Sequence, residues 1–289
     1  MKNLKFIIFI LILFVFSQLK TYADGTITNF QKIGETYLIN NIPYQQYRMD
    51  IINCTDFDLY LTNKDQSIKN QQDSSITYHN NSLKVTTSSN KKSLPYNIQK
   101  VIIDDSVGIG NISVFLTFTI EPYNYNWIAS GNYSIRIIAS TEQIGGMQNY
   151  YNVDFNVPKH SNITVYPNRA LITLSKNQVF SKNNYIENKT NSKLNIISNS
   201  KWDLYLNTNN LNIPAGEHYI EVIGSQGDNI EYTSGKIKLK SNTEYFLGKK
   251  TAISNNNNSS LDIKYTFLTP SDSYAESGNY INQMNFDLK

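Results

Sequence analysis

The chain of 289 residues is 40% hydrophobic and 17% charged, and its formal net charge is +3. Three of its positive charges, on Lys2, Lys5 and Lys20, lie in the first 23 residues, which contain no acidic side chain. The remaining chain is therefore near neutral and lacks the basic surface that nucleic-acid binding needs. Nucleic acid is excluded as an expected partner.

The N-terminal segment has the pattern of a secretory signal peptide. Lys2 and Lys5 form a positive start, residues 6–16 are an unbroken apolar run, and Thr21 and Ala23 are small residues at the two positions that signal peptidase recognises. The apolar run is shorter than the ~20 residues that span a bilayer. We therefore expect residues 1–23 to be removed after Ala23. The mature chain is expected to lack a membrane span and to be periplasmic, at the cell surface or extracellular.

The rest of the chain alternates apolar and polar residues, which predicts short β-strands rich in Ile, Val, Thr and Tyr. Such alternation is typical of antiparallel sheets with one solvated face. With about seven strands per domain, it indicates an all-β protein of immunoglobulin-like β-sandwich domains. The predicted strands are 26–39, 47–53, 57–62, 75–86, 97–103, 111–120, 132–139, 150–157, 163–174, 193–197, 202–207, 218–224, 236–240, 243–247, 261–268 and 279–288.

One stretch of sequence occurs twice. Residues 48–61 and 193–206 are identical at six of fourteen positions, at an offset of 145. A second match, Ser130-Gly-Asn-Tyr133 with Ser277-Gly-Asn-Tyr280, has an offset of 147. Landmarks that recur in the same order at a nearly constant offset indicate a tandem duplication.

The duplication predicts two β-sandwich domains, residues 24–144 and 145–289, with the second an internal repeat of the first. We place the boundary at the flexible pair Gly145-Gly146, which makes 150–157 the first strand of the second domain. The repeated stretch is interpreted as two core strands. Its inward residues are expected to be Ile51, Phe57 and Leu59 in the first copy and Ile196, Trp202 and Leu204 in the second.

Cys54 is the only cysteine, and its counterpart in the second copy is Asn199. No intramolecular disulfide can form, so each domain depends on its apolar core. Cys54 is either a small residue in a turn or a thiol for an intermolecular disulfide, which an unpaired exported cysteine leaves open.

The sequence lacks the spacings that catalysis and metal binding require. Its three histidines, His79, His160 and His218, form no HExxH or HxH pattern, and no GxSxG is present. The acidic pair Asp104-Asp105 lacks further oxygen donors at alternating positions for calcium. We therefore expect a protein that is not an enzyme and binds neither metal nor cofactor.

Aromatic residues are the remaining candidates for a binding site. Tyr123, Tyr125 and Trp127 alternate in a predicted loop. Exposed aromatic rings bind sugars by stacking or anchor protein interfaces. The alternative is a loop whose rings cover the end of the sandwich.

The repeated strand pair and the Ser-Gly-Asn-Tyr opening of each last strand resemble those of exported bacterial β-sandwich proteins, namely fimbrial subunits and spore-coat-U-like proteins. The chain departs from them in lacking a disulfide pair and in having Leu288, not an aromatic residue, second from the end. Each domain is expected to supply its own last strand. The resemblance implies a structural or adhesive role at the cell surface.

Three functions therefore remain open. The first is a surface-assembly or adhesion protein that contacts other proteins through edge strands, by strand addition. The second is a carbohydrate-binding module that uses the Tyr123–Trp127 loop. The third is a periplasmic assembly chaperone, although only three arginines (Arg48, Arg136 and Arg169) are available to grip a subunit terminus.

Overall fold

The structure is a computed structural model that describes residues 25–54, 57–87, 90–106, 110–123, 127–141, 149–169, 185–209, 211, 216–253, 257–270 and 282–289. These residues form two compact units. The first lies within 1–126 and 132–156, and the second comprises 127–131 and 157–289. The described residues contain β-strands and a single 3₁₀ helix, Asn80–Ser82, and their sheets are antiparallel. The predicted all-β, immunoglobulin-like sandwich class is confirmed.

The first unit has a five-stranded front sheet in the order β1-β2-β9-β6-β7 and a four-stranded back sheet in the order β11-β10-β3-β8. A small third sheet pairs β4 with β5. The strands are β1 (Thr26–Ile39), β2 (Ile42–Cys54), β3 (Phe57–Asn63), β4 (Ser67–Lys69), β5 (Thr77–His79), β6 (Leu83–Thr86), β7 (Lys91–Ser93), β8 (Gln99–Ser106), β9 (Gly110–Ile120), β10 (Gly131–Ser140) and β11 (Asn149–Val157).

The second unit has a front sheet in the order β12-β13-β19-β15-β17 and a back sheet in the order β16-β18-β14-β20. Its strands are β12 (Ser161–Tyr166), β13 (Tyr185–Ser198), β14 (Trp202–Asn209), β15 (Glu217–Gln226), β16 (Ile230–Tyr232), β17 (Ile237–Lys238), β18 (Thr243–Lys250), β19 (Asn258–Pro270) and β20 (Gln283–Leu288).

Strand register aligns the two units residue by residue. Met49 of β2 pairs with Val114 of β9, and Leu194 of β13 pairs with Leu261 of β19. In the back sheets, Ile137 of β10 pairs with Asn63, and Met284 of β20 pairs with Thr208. The strands β2, β3, β9 and β10 therefore correspond to β13, β14, β19 and β20, at the offsets of 145 and 147 found in the sequence.

The alternation of buried and more exposed residues along these strands arises because one face of each sheet is buried. In β14, Trp202, Leu204 and Leu206 are buried, and the residues between them are half-buried. Because successive side chains point to opposite faces of a strand, every second residue enters the space between the sheets. All six core positions inferred from the sequence are buried, with exposed fractions of 4% or less: Ile51, Phe57, Leu59, Ile196, Trp202 and Leu204.

The predicted domain boundary at Gly145 is wrong. Strand β11 extends the back sheet of the first unit beside β10, and the two units divide between Asn156 and Val157. Its inward residues Val153 and Phe155 are buried. The alternation of residues 150–157 predicted a strand correctly, but alternation carries no information about which sheet a strand joins.

The predicted strand 75–86 is also wrong, because it is interrupted. The 3₁₀ helix Asn80–Ser82 separates β5 from β6. The cause is local: His79 has an extended backbone, and its Nδ1 accepts a hydrogen bond of 3.2 Å from the Asn81 backbone N–H. A side chain that bonds to a nearby backbone group in this way competes with strand pairing.

Trp202 supports the core of the second unit, so we expect Trp202→Ala to lower the free energy of unfolding by about 3–5 kcal/mol. Its indole Nε1 is buried and has no hydrogen-bond partner among the described residues. Trp202→Phe removes that unpaired donor together with part of the ring, so its cost should be much smaller. Urea unfolding followed by circular dichroism measures both. Equal costs for the two variants would contradict the core assignment.

Candidate functional site

The candidate site is the outer edge of strand β20. On one side β20 pairs with β14, and no other described strand pairs with its opposite side. Asp203 and Lys289 exchange two backbone hydrogen bonds, of 3.1 and 2.9 Å. Since hydrogen-bonded and non-hydrogen-bonded pairs alternate in antiparallel sheets, Met284, Phe286 and Leu288 direct their N–H and C=O groups away from β14. Such a row of backbone groups is a template for another strand.

An open groove of about 560 Å³ lies beside this edge, between β12 and β20. The apolar side chains of β12 and β20 that line it also pack against the core of the second unit. The groove therefore combines an apolar floor with one unpaired backbone edge. Its lining residues are Ile163, Val165, Met284 and Phe286, with the polar Asn207, Asn209, Asn285 and Asp287.

The first unit is different at the corresponding edge. Strand β10, the counterpart of β20, has β11 on its outer side. Within the described ranges, the back sheet of the second unit has no counterpart of β11. The expectation that each domain supplies its own last strand agrees with the structure, in which β10 pairs with β3 and β20 pairs with β14.

Side chains of the front sheet hold β11 in place. The backbone N–H of Asp154 donates to the Tyr47 hydroxyl at 2.6 Å, and that of Asn156 donates to Thr36 Oγ1 at 2.8 Å. Thr36 in turn donates to Gln45 Oε1 at 2.8 Å. Burial raises the pKa of Tyr47 to about 12, so its hydroxyl remains a neutral hydrogen-bond partner. Two backbone groups of β11 are thus satisfied by the opposite sheet.

Aromatic rings fill the space between β11 and the front sheet. Phe30 stacks on Tyr47 with ring centroids 4.5 Å apart, and Tyr151 of β11 lies 4.8 Å from Phe30. Phe118 closes the cluster, 5.7 Å from Tyr47 in an edge-to-face arrangement. These geometries are the favourable ones for aromatic pairs. At this edge of the first unit, both ring packing and hydrogen bonds hold β11 against the front sheet.

The structure does not place the three predicted aromatic residues on one exposed surface. Tyr123 is 95% exposed, but Trp127 is only 7% exposed and belongs to a segment of the second unit. Tyr125 lies outside the described residues. A buried Trp127 cannot stack on a sugar ring, so the interpretation of this residue as part of an exposed platform is corrected. A role for Tyr123 stays a prediction.

Cys54 is 1% exposed, and burial raises the pKa of its thiol. A Cβ atom on Gly25 would lie 2.7 Å from Cys54 Sγ, so only glycine fits over the sulfur. Both facts oppose the predicted intermolecular thiol, because the thiolate reacts and requires access. The counterpart Asn199 has a structural role instead: its Oδ1 accepts from the His160 N–H at 2.7 Å, and its Nδ2 donates to the Pro158 carbonyl at 3.0 Å.

The three histidines have separate environments. His79 caps the 3₁₀ helix, whereas the His160 carbonyl accepts from the Asn199 N–H at 3.1 Å and the His160 N–H donates to Asn199 Oδ1 at 2.7 Å. His218 is half-buried on β15 with its ring 4.6 Å from Phe267, and this burial lowers its pKa to about 4. In the described part of the chain, no group of three or more His, Cys, Asp or Glu side chains is arranged to hold a metal ion. Within the same part, no helix is long and apolar enough to cross a membrane.

The chain matches no protein-family model and no curated protein. Among solved structures it is similar to the chaperone–tip adhesion subunit pre-assembly complex of the archaic chaperone–usher Csu pili of Acinetobacter baumannii, at 9% identity over 93% of this chain and 94% of that chain, with a TM-score of 0.36. It is also similar to the CupB6 tip adhesin from Pseudomonas aeruginosa, at 9% identity over 91% and 93% of the two chains, with a TM-score of 0.30.

A secreted serine protease, VesC from Vibrio cholerae, is similar at 9% identity and a TM-score of 0.21, over 92% of this chain and 51% of that chain. The resemblance to fimbrial β-sandwich proteins is thus found among solved structures as well.

The burial of Cys54 predicts that its thiol is protected in the folded protein. We expect the native protein to react with Ellman's reagent at least ~100-fold more slowly than the protein in 6 M urea, because reaction requires a local opening. A non-reducing gel should show a monomer. Rapid stoichiometric labelling of the native protein would contradict the buried environment.

Because the pKa of folded His218 is low, the free energy of unfolding should decrease as the pH is lowered, before the carboxylates become protonated. Between pH 6.5 and about 4, unfolded His218 is protonated and folded His218 is not, so acid favours unfolding. The slope due to His218 cannot exceed ~1.4 kcal/mol per pH unit, because the unfolded chain takes up only one more proton at this residue. The carboxylates of Glu187 and Glu217, whose pKa values are lowered by lysine partners, lose their contribution only below about pH 4.5.

His218→Phe should therefore flatten the stability profile between pH 6.5 and 5, as measured by urea unfolding at several pH values. The ring contact with Phe267 is kept in this variant, so the comparison isolates the titration. Identical slopes in the two proteins would show that another group causes the loss.

Proposed function

We propose that this protein is an exported, non-enzymatic protein that acts in assembly or adhesion at the bacterial cell surface. In this proposal it binds a partner protein by strand addition to the outer edge of β20. The observation that carries the proposal is the outer edge of β20, which pairs with β14 on one side, has no described strand on the other and lies beside an apolar groove. The proposal rests on this geometry and not on the solved structures that the chain resembles.

Five other edge strands of the described sheets, β1, β7, β8, β16 and β17, have features that oppose strand addition. The long edge strand β1 has two register irregularities, and β8 has two in its pairing with β3. The edge strands β7, β16 and β17 contain three residues or fewer. Bulges and short strands are the usual devices that prevent edge-to-edge pairing.

The two edges that form the groove lack these devices. Strands β12 and β20 each contain six residues, and each pairs with its neighbour without an irregularity. An incoming extended segment gains a ladder of backbone hydrogen bonds from β20 and places alternate side chains on the apolar floor. This mode needs no charge complementarity, which fits a near-neutral chain.

The outer face of the second unit's front sheet is a poorer docking surface. It carries cross-strand ion pairs, including Lys236 with Glu187 and Lys264 with Glu221. Exposed ion pairs are well solvated and contribute little to binding or stability. Polar cross-strand pairs of this kind indicate a face that remains in water.

Amide hydrogen exchange tests whether the edge is open. In the full chain alone, the amides of Met284, Phe286 and Leu288 should exchange at least ~100-fold faster than those of Asn285 and Asp287, which bond to β14. Uniformly slow exchange along β20 would contradict an open edge.

A substitution tests the function. Phe286→Asp places a charge on the floor of the groove and should reduce recovery of the protein in the surface fraction of the producing cells by at least ~10-fold. Tyr150→Asp, on the exposed side of β11, is the matched control and should leave recovery unchanged. Circular dichroism of the purified variants verifies that both fold. Normal surface recovery of folded Phe286→Asp would overturn the proposal.

A further inference from the structure

We infer that the outer face of the first unit's front sheet is a second interaction surface, which binds a partner protein through a carboxylate side chain that has an apolar neighbour. Arg48 recognises the carboxylate, and Phe115 packs against the apolar neighbour. This surface is separate from the β20 edge, so the inference goes beyond the proposed function and does not depend on it.

Arg48 and Phe115 are direct neighbours on this face. They pair across β2 and β9, and Gln31 of β1 pairs with Arg48 on its other side. The adjacent residues Met49 and Val114 are buried, so Arg48 and Phe115 point outward. The side chain of Arg48 is 48% exposed, and Phe115 is 63% exposed. The guanidinium and the ring are thus presented to solvent together.

A network of hydrogen bonds fixes the orientation of Arg48. Its Nε donates to Asp50 Oδ1 at 2.7 Å, and the same oxygen accepts from Ser113 Oγ at 2.6 Å. The other oxygen, Asp50 Oδ2, accepts from Asn29 Nδ2 at 3.0 Å. The hydrogen bond from Ser113 contributes most to lowering the pKa of Asp50 to about 2. The carboxylate therefore stays charged and holds the guanidinium in place.

The terminal nitrogens of Arg48 remain available for a ligand. Among the residues that the structure describes, the Arg48 side chain has a hydrogen bond from Nε and no other. Guanidinium N–H groups form a planar fork that fits a carboxylate with two parallel hydrogen bonds. A side chain whose orientation is already fixed loses less entropy on binding. The exposed amides of Gln31 and Gln46 flank this fork on the same face and can bond to the backbone of a partner.

The second unit differs at the corresponding positions. The counterparts of Arg48 and Phe115, at the offsets of 145 and 147, are Lys193 and Asp262, which pair across β13 and β19. There the cation stands opposite a carboxylate of its own chain, and Lys193 Nζ donates to Gln226 Oε1 at 3.0 Å. The first unit has a ring in the place of that carboxylate. Its cation therefore keeps the capacity to bind a carboxylate from another molecule.

The exposed ring indicates a protein partner. Arginine and aromatic residues are enriched at protein interfaces and among the residues that contribute most to binding. Small molecules bind in concave sites that bury most of their surface, whereas a sheet face is open. A carboxylate alone would leave the ring of Phe115 in water. The bound group is therefore a carboxylate side chain whose apolar neighbour removes the ring from water.

The patch has little complementarity to itself. In a two-fold contact through this face, the carboxylate that Arg48 would meet is Asp50 of the other copy, which already accepts three hydrogen bonds. The glutamates described in the second unit are also engaged, since each pairs with a lysine. They are Glu187, Glu217, Glu221, Glu231 and Glu244. Charge complementarity thus favours a separate protein as the source of the carboxylate.

Blocked dipeptides test the inference on the full chain. The probe is N-acetyl-phenylalanyl-glutamate amide; one control has glutamine in place of glutamate, and the other has alanine in place of phenylalanine. NMR spectra of isotope-labelled protein should show saturable shifts of the Arg48 Nε–H signal and of the backbone amides around Phe115. Each control should bind at least ~10-fold more weakly, because one lacks the charge-assisted hydrogen bonds and the other lacks the ring contact.

Variants of the protein locate the site. Arg48→Gln and Phe115→Ser should each weaken binding of the probe by at least ~10-fold. Arg48→Lys keeps the charge but loses the fork, and it should weaken binding by at least ~5-fold. Lys193→Gln, at the counterpart position of the second unit, is the matched control and should leave binding unchanged. A cooperative urea transition verifies that each variant folds.

Four results would overturn the inference. Equal binding of the probe and its glutamine control excludes recognition of a carboxylate, and wild-type binding by Phe115→Ser excludes the ring. If an oligogalacturonate shifts the same signals at a lower concentration than the dipeptide, the ligand is an acidic polysaccharide and not a protein. If dilution of the protein alone shifts these signals, a second copy occupies the face. Each of these results leaves the test of the β20 edge unaffected.

Discussion

The backbone at the edge of a sheet constrains this protein more than any side chain does. Each residue of an edge strand has N–H and C=O groups that must bond to water or to another strand. In the first unit, β11 covers β10, and the hydroxyls of Tyr47 and Thr36 satisfy backbone groups of β11. In the second unit, β20 keeps its outer groups unpaired within the described residues. The proposed binding site is that edge together with the groove beside it.

The two units share core positions but differ at one edge of the back sheet. Positions identical in both copies, such as Ile51 with Ile196 and Leu59 with Leu204, are buried and maintain the sandwich. Two differences lie beside the edge in question: Val165 pairs with Leu194 where Phe30 pairs with Met49, and Ser192 is the counterpart of Tyr47. Packing shared between the copies maintains the fold, and the proposed binding edge lies where the copies differ.

The features that could be predicted from the sequence are those that depend on the local pattern of apolar and polar residues. Alternation identified β2, β3 and β14 and their buried positions, because burial of one face imposes a period of two. It did not assign β11 to a unit, since sheet membership depends on residues distant in sequence, such as Tyr47 and Asp154. For Trp127 and Cys54 the sequence left both a buried and an exposed role open, because the exposure of a loop or turn residue is decided by what the rest of the chain places over it. In the repeated sequence, Ser192 replaces Tyr47. This replacement can be related to the edge of the sheet only because the structure shows that Tyr47 contacts β11.

An open edge also has consequences before any partner binds. Unpaired strands with apolar side chains are sites of aggregation, and the described sheets elsewhere use bulges, short strands and side-chain hydroxyls against it. Strand β20 lacks those protections, although its flanking charges are satisfied: Lys289 pairs with Glu244 and lies over the ring of Tyr205. An exposed edge of this kind favours pairing with another strand, which is the binding mode proposed for it.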